Sequence, residues 1–385
     1  MSDIAERYRK SPPPHTQDRE ELHLERLRIG IIGCGAIAQI QHLPHLKLRN
    51  DLFAIHALCD LSVNLMNALG TDYGVPPERR FTDYRLMVES DVDAIIVCPA
   101  GSHAPATIAA ARAGKHVFVE KPMCHTVREA EEMVATARQS NVVLQVGYMK
   151  RHDPGYLYGR ERVREMSDVR FVQVNHLHPD NSLHLREFKL LRFDDFPSDA
   201  LAIIREEDDR LTREAIGAAT PSESKAFHHI LGSMIHDIGN LHGLFGIPTR
   251  VVSADIWREG GGITTTFDYP NDVRCVATWI DLPELWDFRE TLEVYGSRER
   301  VIMSFPTGFS VGLGTEVTVQ GMEADRTPWS KHVVVSHESP FLREIVHFHD
   351  CVVNGTTPET PGSDTVADIG LVRDIILAAR GTAHG

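Results

Sequence analysis

Short apolar runs alternate with amphipathic stretches through the first third of the chain. Strand-like runs fall at 27–33, 53–60, 94–98, 116–119 and 142–146, and between them apolar residues recur with helical period over 36–48, 63–69, 84–89, 104–113 and 127–140. Strict strand–helix alternation predicts a doubly wound parallel sheet. After about residue 168 the period becomes two, and strands are predicted one after another at 169–176, 251–258, 263–269, 273–280, 288–295, 301–304, 316–319 and 332–335, with a hairpin turn at Gly260-Gly261-Gly262. Such a run reads as a mainly antiparallel sheet in a second domain. Helices at 342–353 and 365–380 close the chain.

Two segments stand outside this pattern. Residues 1–26 are charged, carry Pro12-Pro13-Pro14 and lack the apolar core of a signal peptide, so a flexible arm is expected. Residues 179–226 are rich in charge, including Arg205 to Arg210, and read as an insertion. A solvated surface is the plainer expectation for it; a lid or an oligomer arm over the site is the functional one.

With 385 residues the chain has room for two domains, each with its own core. A formal charge of −14 argues against nucleic acid or an anionic membrane as partner, and no 18 apolar residues run together. A small molecule is the expected partner. The six cysteines, Cys34, Cys59, Cys98, Cys124, Cys275 and Cys351, lie far apart, as expected of buried free thiols in a reducing cytoplasm.

The first candidate chemistry lies at the end of the first strand, in Gly33-Cys34-Gly35-Ala36-Ile37-Ala38. A buried strand that turns through glycines into a helix brings bare N–H groups and a positive dipole end up to a pyrophosphate. Gly33 permits the tight turn, Gly35 lets the backbone approach the phosphates, and Ala38 allows close helix packing; Ala36 and Ile37 join the cofactor-contacting set. Asp60 ends the second strand and can accept both ribose hydroxyls. Leu61 and Ser62 follow it, with no Arg for a 2′-phosphate, so NAD is expected over NADP. The first domain is therefore expected over 27–150 as a Rossmann α/β unit, and an α+β domain for substrate binding over 151–385.

Residues 114–126, Gly-Lys-His-Val-Phe-Val-Glu-Lys-Pro-Met-Cys-His-Thr, add a second motif. The strand ending in Glu120-Lys121-Pro122 resembles the signature of the Gfo/Idh/MocA oxidoreductase family. Pro99 to His103, Gln145-Val146-Gly147-Tyr148, Arg151-His152-Asp153-Pro154, Ile235-His236-Asp237 and Phe348 to Gly355 fall in the family's order. The resemblance implies NAD(P)-dependent oxidation or reduction of a carbinol on a sugar, cyclitol or related ring. It also implies a cis Lys121–Pro122 peptide and an open-faced second sheet that builds homodimers or homotetramers.

Hydride transfer from a secondary alcohol needs a group to take the hydroxyl proton, and Lys121, at the carboxyl edge of the sheet beside the cofactor, suits. Similar enzymes carry Asp and His four residues apart on one helix; here the His is His236 and the Asp position holds Gly232. His236 is expected to assist catalysis or bind substrate, and His228 or His229 to fill the gap if either does. Tyr148, His178 and His229 complete the expected substrate contacts, with Pro99, His103 and Glu120 beside the nicotinamide. For each histidine a satisfied structural role is the alternative. The 21 histidines include His176-x-His178 and His347-x-His349, yet no metal-ligand spacing appears, so no metal site is expected. Two rivals to a dehydrogenase remain: an enzyme that retains NAD to process glycosides or shuttle hydride, and a non-catalytic NAD-binding regulator.

Overall fold

Six parallel strands, β1 (Leu27–Ile32), β2 (Phe53–Cys59), β3 (Arg80–Phe81), β4 (Ala94–Val97), β5 (His116–Glu120) and β6 (Leu144–Gly147), form the first sheet in the order β3-β2-β1-β4-β5-β6. This is seen in a computed structural model that describes residues 26–382, so the arm expected at 1–26 lies outside the described residues save for Arg26. The order reverses between β1 and β4, which opens a crevice beyond the carboxyl ends of these strands. The helices of this half are α1 (Leu43–Leu48), α2 (Val63–Tyr73), α3 (Tyr84–Val88), α4 (Ala104–Arg112) and α5 (Val127–Gln139). A π-helical turn, Ala38–His42, leads into α1. The sheet is buried on both faces: Ile29, Ile31, Phe53 and Leu58 pack with Leu43, Leu46 and Leu69 on one side, while Val97, Val117 and Val119 pack with Ala110, Ala130 and Met133 on the other. Only β3 escaped the sequence pattern, because two residues are too few to show a period.

The second sheet has eight strands: β7 (Val169–His178), β8 (Arg250–Trp257), β9 (Gly262–Tyr269), β10 (Val273–Asp281), β11 (Arg289–Gly296), β12 (Glu299–Phe305), β13 (Glu316–Met322) and β14 (Pro328–Val334). Their order is β14-β13-β12-β11-β7-β10-β9-β8, with β7 and β10 parallel and every other pair antiparallel. The glycine run joins β8 to β9 as a hairpin, as its composition predicted. Alternation along β7 sets Val172, Val174, His176 and His178 on one face. Register then aligns Glu290 of β11 and Trp279 of β10 with His176.

Helices α6 (Pro154–Glu165) and α7 (Ser182–Leu185) flank β7; α8 (Ala200–Ile216) and α9 (Pro221–His229) follow within and just beyond the insertion; α10 (Ile235–Phe245) leads into the sheet. A π-helical turn, Ile230–Met234, joins α9 to α10. The insertion is thus not a plain surface loop. Thr220 caps α9 in a reciprocal box with Glu223 and Pro221 occupies its first turn, so local sequence fixes where that helix starts. Helices α11 (Pro340–Asn354) and α12 (Gly362–Thr382) return to the first half: Phe348 meets Phe118 edge-on at 5.9 Å, and Gln145 donates to the Glu344 carbonyl at 2.9 Å. Burial of Phe348 contributes on the order of 2 kcal/mol to that docking.

Candidate active site

Two adjoining cavities lie along the carboxyl edge of the first sheet, and Cys98 and Pro99 line both. The outer one is about 940 Å³ and is bounded by Gly33, Gly35, Asp60, Gly101 and Ser102 on the sheet side. Gly33 has φ +88° and a Cβ there would stand 2.4 Å from Pro99 N, so only glycine makes this turn without strain. At Gly35 a Cβ would meet nothing within 4 Å, which leaves bare backbone facing open space. The Asp60 carboxylate accepts from Cys34 N at 2.8 Å and Ser62 N at 2.9 Å, one on each oxygen. Both oxygens keep lone pairs for a diol. Open backbone amides with an aimed carboxylate fit the pyrophosphate and ribose of a dinucleotide.

The opposite wall of this cleft is the insertion. Phe196, Leu201, Ile203 and Ile204 line it, and a Cβ on Gly101 would lie 3.2 Å from Ile204. The segment is tied to the first domain at both ends of the cleft. Asp195 accepts from the Ser62 hydroxyl and from Asn64 N at 2.8 Å, the Gln39 amide exchanges two hydrogen bonds with the Leu191 backbone, and Glu214 pairs with Arg128 at 2.6 Å. A lid over substrate was the functional expectation; the insertion instead straps the dinucleotide cleft. Its charge run shares that wall: Glu206, Glu207, Asp208, Arg210 and Arg213 line the cleft beside the apolar residues, with Arg210 held by Glu207 and Glu214.

The inner cavity, about 270 Å³, is lined by Glu120, Lys121, Lys150, His176, His178, Ser233 and His236, with Ile37, His103 and Phe288 among its walls. The Lys121–Pro122 peptide is cis. Lys121 Nζ donates to the Gly232 carbonyl at 2.6 Å. Desolvation pulls the Lys121 amine below the ordinary lysine range, the Lys150 charge adds to this, and the Glu120 carboxylate opposes it. Burial alone would raise Glu120, but its 2.8 Å contact with His42 and the charges of His42 and Lys121 hold it below the ordinary carboxylate range. His236 lies well below the usual imidazole range through burial and the nearby lysines, and its buried Nδ1 has no hydrogen-bond partner.

The other expected residues differ in what they face. His103 lines the inner cavity, but its ring nitrogens lie 2.8 and 3.0 Å from the carbonyls of Glu120 and Pro99, which braces β5 against the loop after β4. Tyr148 is buried behind His236, ring to ring at 6.5 Å, and does not line the cavity, because the chain turns at the end of β6 and presents Met149 and Lys150 instead. His229 stacks on Trp279 at 4.4 Å and faces a side groove shared with His178. His228 is exposed near Thr212. Neither therefore supplies the group missing at Gly232.

The residues that sequence reasoning left out are Lys150, Asp237, Glu290 and Ser233. Lys150 donates to Glu290, and His176 Nδ1 lies 2.7 Å from Asp237. Donor atoms of His176, Asp237 and Glu290 lie within 4.8 Å of one another, and the cation beside them is the Lys150 ammonium. The period-two face of β7 carried a signal for His176 and His178; Glu290 becomes visible only once β11 is placed in register.

Residues 27–148 match a family model described as Oxidoreductase family, NAD-binding Rossmann fold. The chain is 37% identical over 161 residues to an inositol 2-dehydrogenase of Paracoccus denitrificans, which covers 40% of this chain and 46% of that protein. It is 32% identical over 139 residues to a myo-inositol 2-dehydrogenase of Thermotoga maritima, covering 36% and 40%. The chain thus spans less than half the length of these relatives. Its whole fold is similar to an aldose-aldose oxidoreductase from Caulobacter crescentus complexed with glycerol, at TM-score 0.70 and 19% identity over 93% of this chain and 98% of the other. A 3-ketoreductase from Actinomadura kijaniata in complex with NADP has a similar fold at TM-score 0.69 and 20% identity, covering 92% and 98%. Among the described residues no helix is long and apolar enough to cross a membrane.

Proposed function

Through residues 27–148 the chain belongs to the Gfo/Idh/MocA oxidoreductase family, and from that premise we propose that it moves hydride between NAD and a secondary hydroxyl or keto group of a sugar, cyclitol or related ring. The observation that carries this reading is the shared wall of the two cavities at Cys98 and Pro99: a dinucleotide cleft opens directly onto a chamber lined by Lys121, His236 and His178. When bound, NAD supplies the hydride acceptor, held by the turn at Gly33 and Gly35 and by Asp60. Lys121 exchanges a proton with the reacting oxygen, since desolvation lowers its basicity and makes the amine more accessible than in a free lysine. His236, kept neutral, shares that oxygen by hydrogen bond. His178 from the opposite wall orients further hydroxyls. The names of the inositol dehydrogenase relatives support a cyclitol as the first substrate to try.

A screen of cyclitols, aldoses and their oxidised forms, following nicotinamide absorbance, tests the proposal; no turnover across that panel would refute it. A second reading, an enzyme that keeps its nucleotide and shuttles hydride or opens a glycoside by transient oxidation, is favoured by the strap across the cleft. Nucleotide that copurifies with the chain, with product released from a glycoside, would select it. A non-catalytic regulator has no use for Lys121 in the chamber wall.

A further inference from the structure

Behind the inner cavity a line of hydrogen-bonding groups runs into the protein. His178 Nδ1 lies 3.2 Å from His176 Nε2, and His176 Nδ1 lies 2.7 Å from Asp237 Oδ2. Ser233 Oγ joins both imidazoles at 3.3 and 3.2 Å and itself accepts from Trp279 Nε1 at 2.8 Å. His176 and Asp237 are about 2% exposed, and this line joins them to the cavity. His178 lines the cavity, and among the described residues its Nε2 has no protein partner. Lys121 is fastened to the carbonyl of Gly232, one residue before Ser233. The π-helical turn thus anchors the lysine at Gly232 and, through Ser233, touches both imidazoles of the line.

We infer that Asp237, reached through His178 and His176, is a proton store that resets Lys121 between turnovers. This rests on the hydride-transfer reading above. After Lys121 has taken the hydroxyl proton, its ammonium gives a proton to His178 Nε2 across one bridging hydroxyl or water. His178 passes its Nδ1 proton to His176 Nε2, and His176 passes its Nδ1 proton to Asp237. One proton enters and one arrives; both imidazoles end neutral with their tautomers exchanged. Once product has left the chamber, Asp237 returns its proton along the same line to water there, which restores the tautomers and the carboxylate for the next turnover. Lys121 becomes an amine and Asp237 a carboxylic acid, so a separated pair of charges becomes two neutral groups, which a low-dielectric interior favours. Carbonyl reduction runs the line in reverse.

The surroundings suit storage at Asp237 and conduction at the histidines. Facing Asp237 are Lys150 from the turn after β6, His176 from β7, Cys275 from β10 and Glu290 from β11. Two carboxyls thus share one ammonium, and Lys150 is bonded to Glu290. Burial lifts Asp237 to about 7, with Lys150 and Glu290 opposing, so it gains and loses a proton near neutrality. Burial lowers His176 to about 4; burial and the His176, Lys150 and Lys121 charges lower His178 to about 3. Neither imidazole holds a second proton at neutral pH.

The test compares the full chain with Asp237→Asn and His178→Phe. In the wild type, alcohol oxidation should rise with pH through about 7, as Asp237 ionises, and carbonyl reduction should fall. Asp237→Asn should lower kcat at neutral pH about tenfold and erase that inflection, while KM and the first turnover in a rapid-mixing experiment stay near wild type. His178→Phe should raise KM through the lost substrate contact and should also erase the inflection near neutral pH, and that loss of inflection decides the matter if Asp237→Asn does not fold. An infrared titration without substrate should show a protonated carboxyl that disappears near neutral pH, present in His178→Phe and absent from Asp237→Asn. A wild-type Asp237 ionised throughout the range from about pH 5 to 9, or variants whose kcat and pH profile stay within about twofold of wild type, would overturn the proposal. A chain that titrates at Asp237 yet reduces no nicotinamide with any polyol sustains the proton store and refutes the hydride-transfer reading.

Discussion

Lys121 at the edge of the first sheet donates to the carbonyl of Gly232 in the second domain at 2.6 Å, so the proposed acid/base is held by the half of the molecule it does not belong to. Lys121→Ala should lower kcat by about 10² to 10⁴, a barrier increase of roughly 3 to 5 kcal/mol, with NAD still bound. His236→Ala should cost less, because the buried Nδ1 of that ring has no partner to polarise it. Steady-state kinetics of both variants check this; a more damaged His236 variant would move proton exchange to the histidine.

The two glycines of the turn should separate. Gly33→Ala puts a Cβ 2.4 Å from Pro99 N at φ +88° and should destabilise the fold by about 1–3 kcal/mol. Gly35→Ala meets nothing within 4 Å and should unfold like the wild type. Its methyl group would stand where phosphates come closest, so NAD affinity should fall about tenfold. Thermal unfolding beside NAD titration distinguishes the pair.

NAD should be preferred over NADP by at least about tenfold, or roughly 1.4 kcal/mol, because Asp60 repels a 2′-phosphate and loses its hydroxyl partner. Arg85 lines the same cleft, which the sequence did not announce; it pairs with Asp83 at 3.3 Å and lies over the Tyr84 ring. Arg85→Ala should widen the preference. Equal kcat/KM for the two nucleotides would contradict the assignment of Asp60.

Cutting the strap's ties should act on nucleotide rather than on substrate. Asp195→Ala combined with Glu214→Ala removes the contacts to Ser62, Asn64 and Arg128. NAD dissociation measured by stopped-flow fluorescence should speed up about tenfold, with the substrate KM little changed. An unaltered dissociation rate would return residues 179–226 to a surface role.

Stability should carry a signature of His242, whose Nδ1 lies 2.7 Å from Asp368. Burial pulls this imidazole down, but the hydrogen bond and charge of Asp368 win, and its value lies above the ordinary 6.5. A raised histidine stabilises the fold fully below the unfolded value near 6.5 and loses that contribution as pH climbs through the folded value. Tm should therefore decline above neutrality in the wild type, and His242→Gln should flatten that slope.

Both sheets were legible because period-two and strand–helix patterns report burial directly, and every predicted strand is present. Asp60 and Lys121 were legible because each ends a strand beside a motif with one physical purpose. Tyr148 and His229 were misplaced for a different reason: which way a side chain faces after a strand end depends on the turn that follows, and a π-helical turn shifts the helix face by a fraction of a residue. Lys150 and Glu290 come together across 140 positions, through the register of β11 on β7, and no local pattern encodes that meeting. The strap's docking was hidden because its apolar residues, Leu201, Ile203 and Ile204, are few and sit beside a dense charge run.

The strap gives the molecule a clock. With both ends of residues 191–214 tied to the rims of the cleft, exchange of a spent nucleotide for a fresh one is, on the proposed reading, a conformational event whose waiting time would bound the turnover however fast the chemistry beneath it. A chain of this build gains most when the hydride is handed back within the same closed period, by a second carbonyl compound entering through the inner chamber. Double-reciprocal plots for such a substrate pair would then run parallel rather than meet.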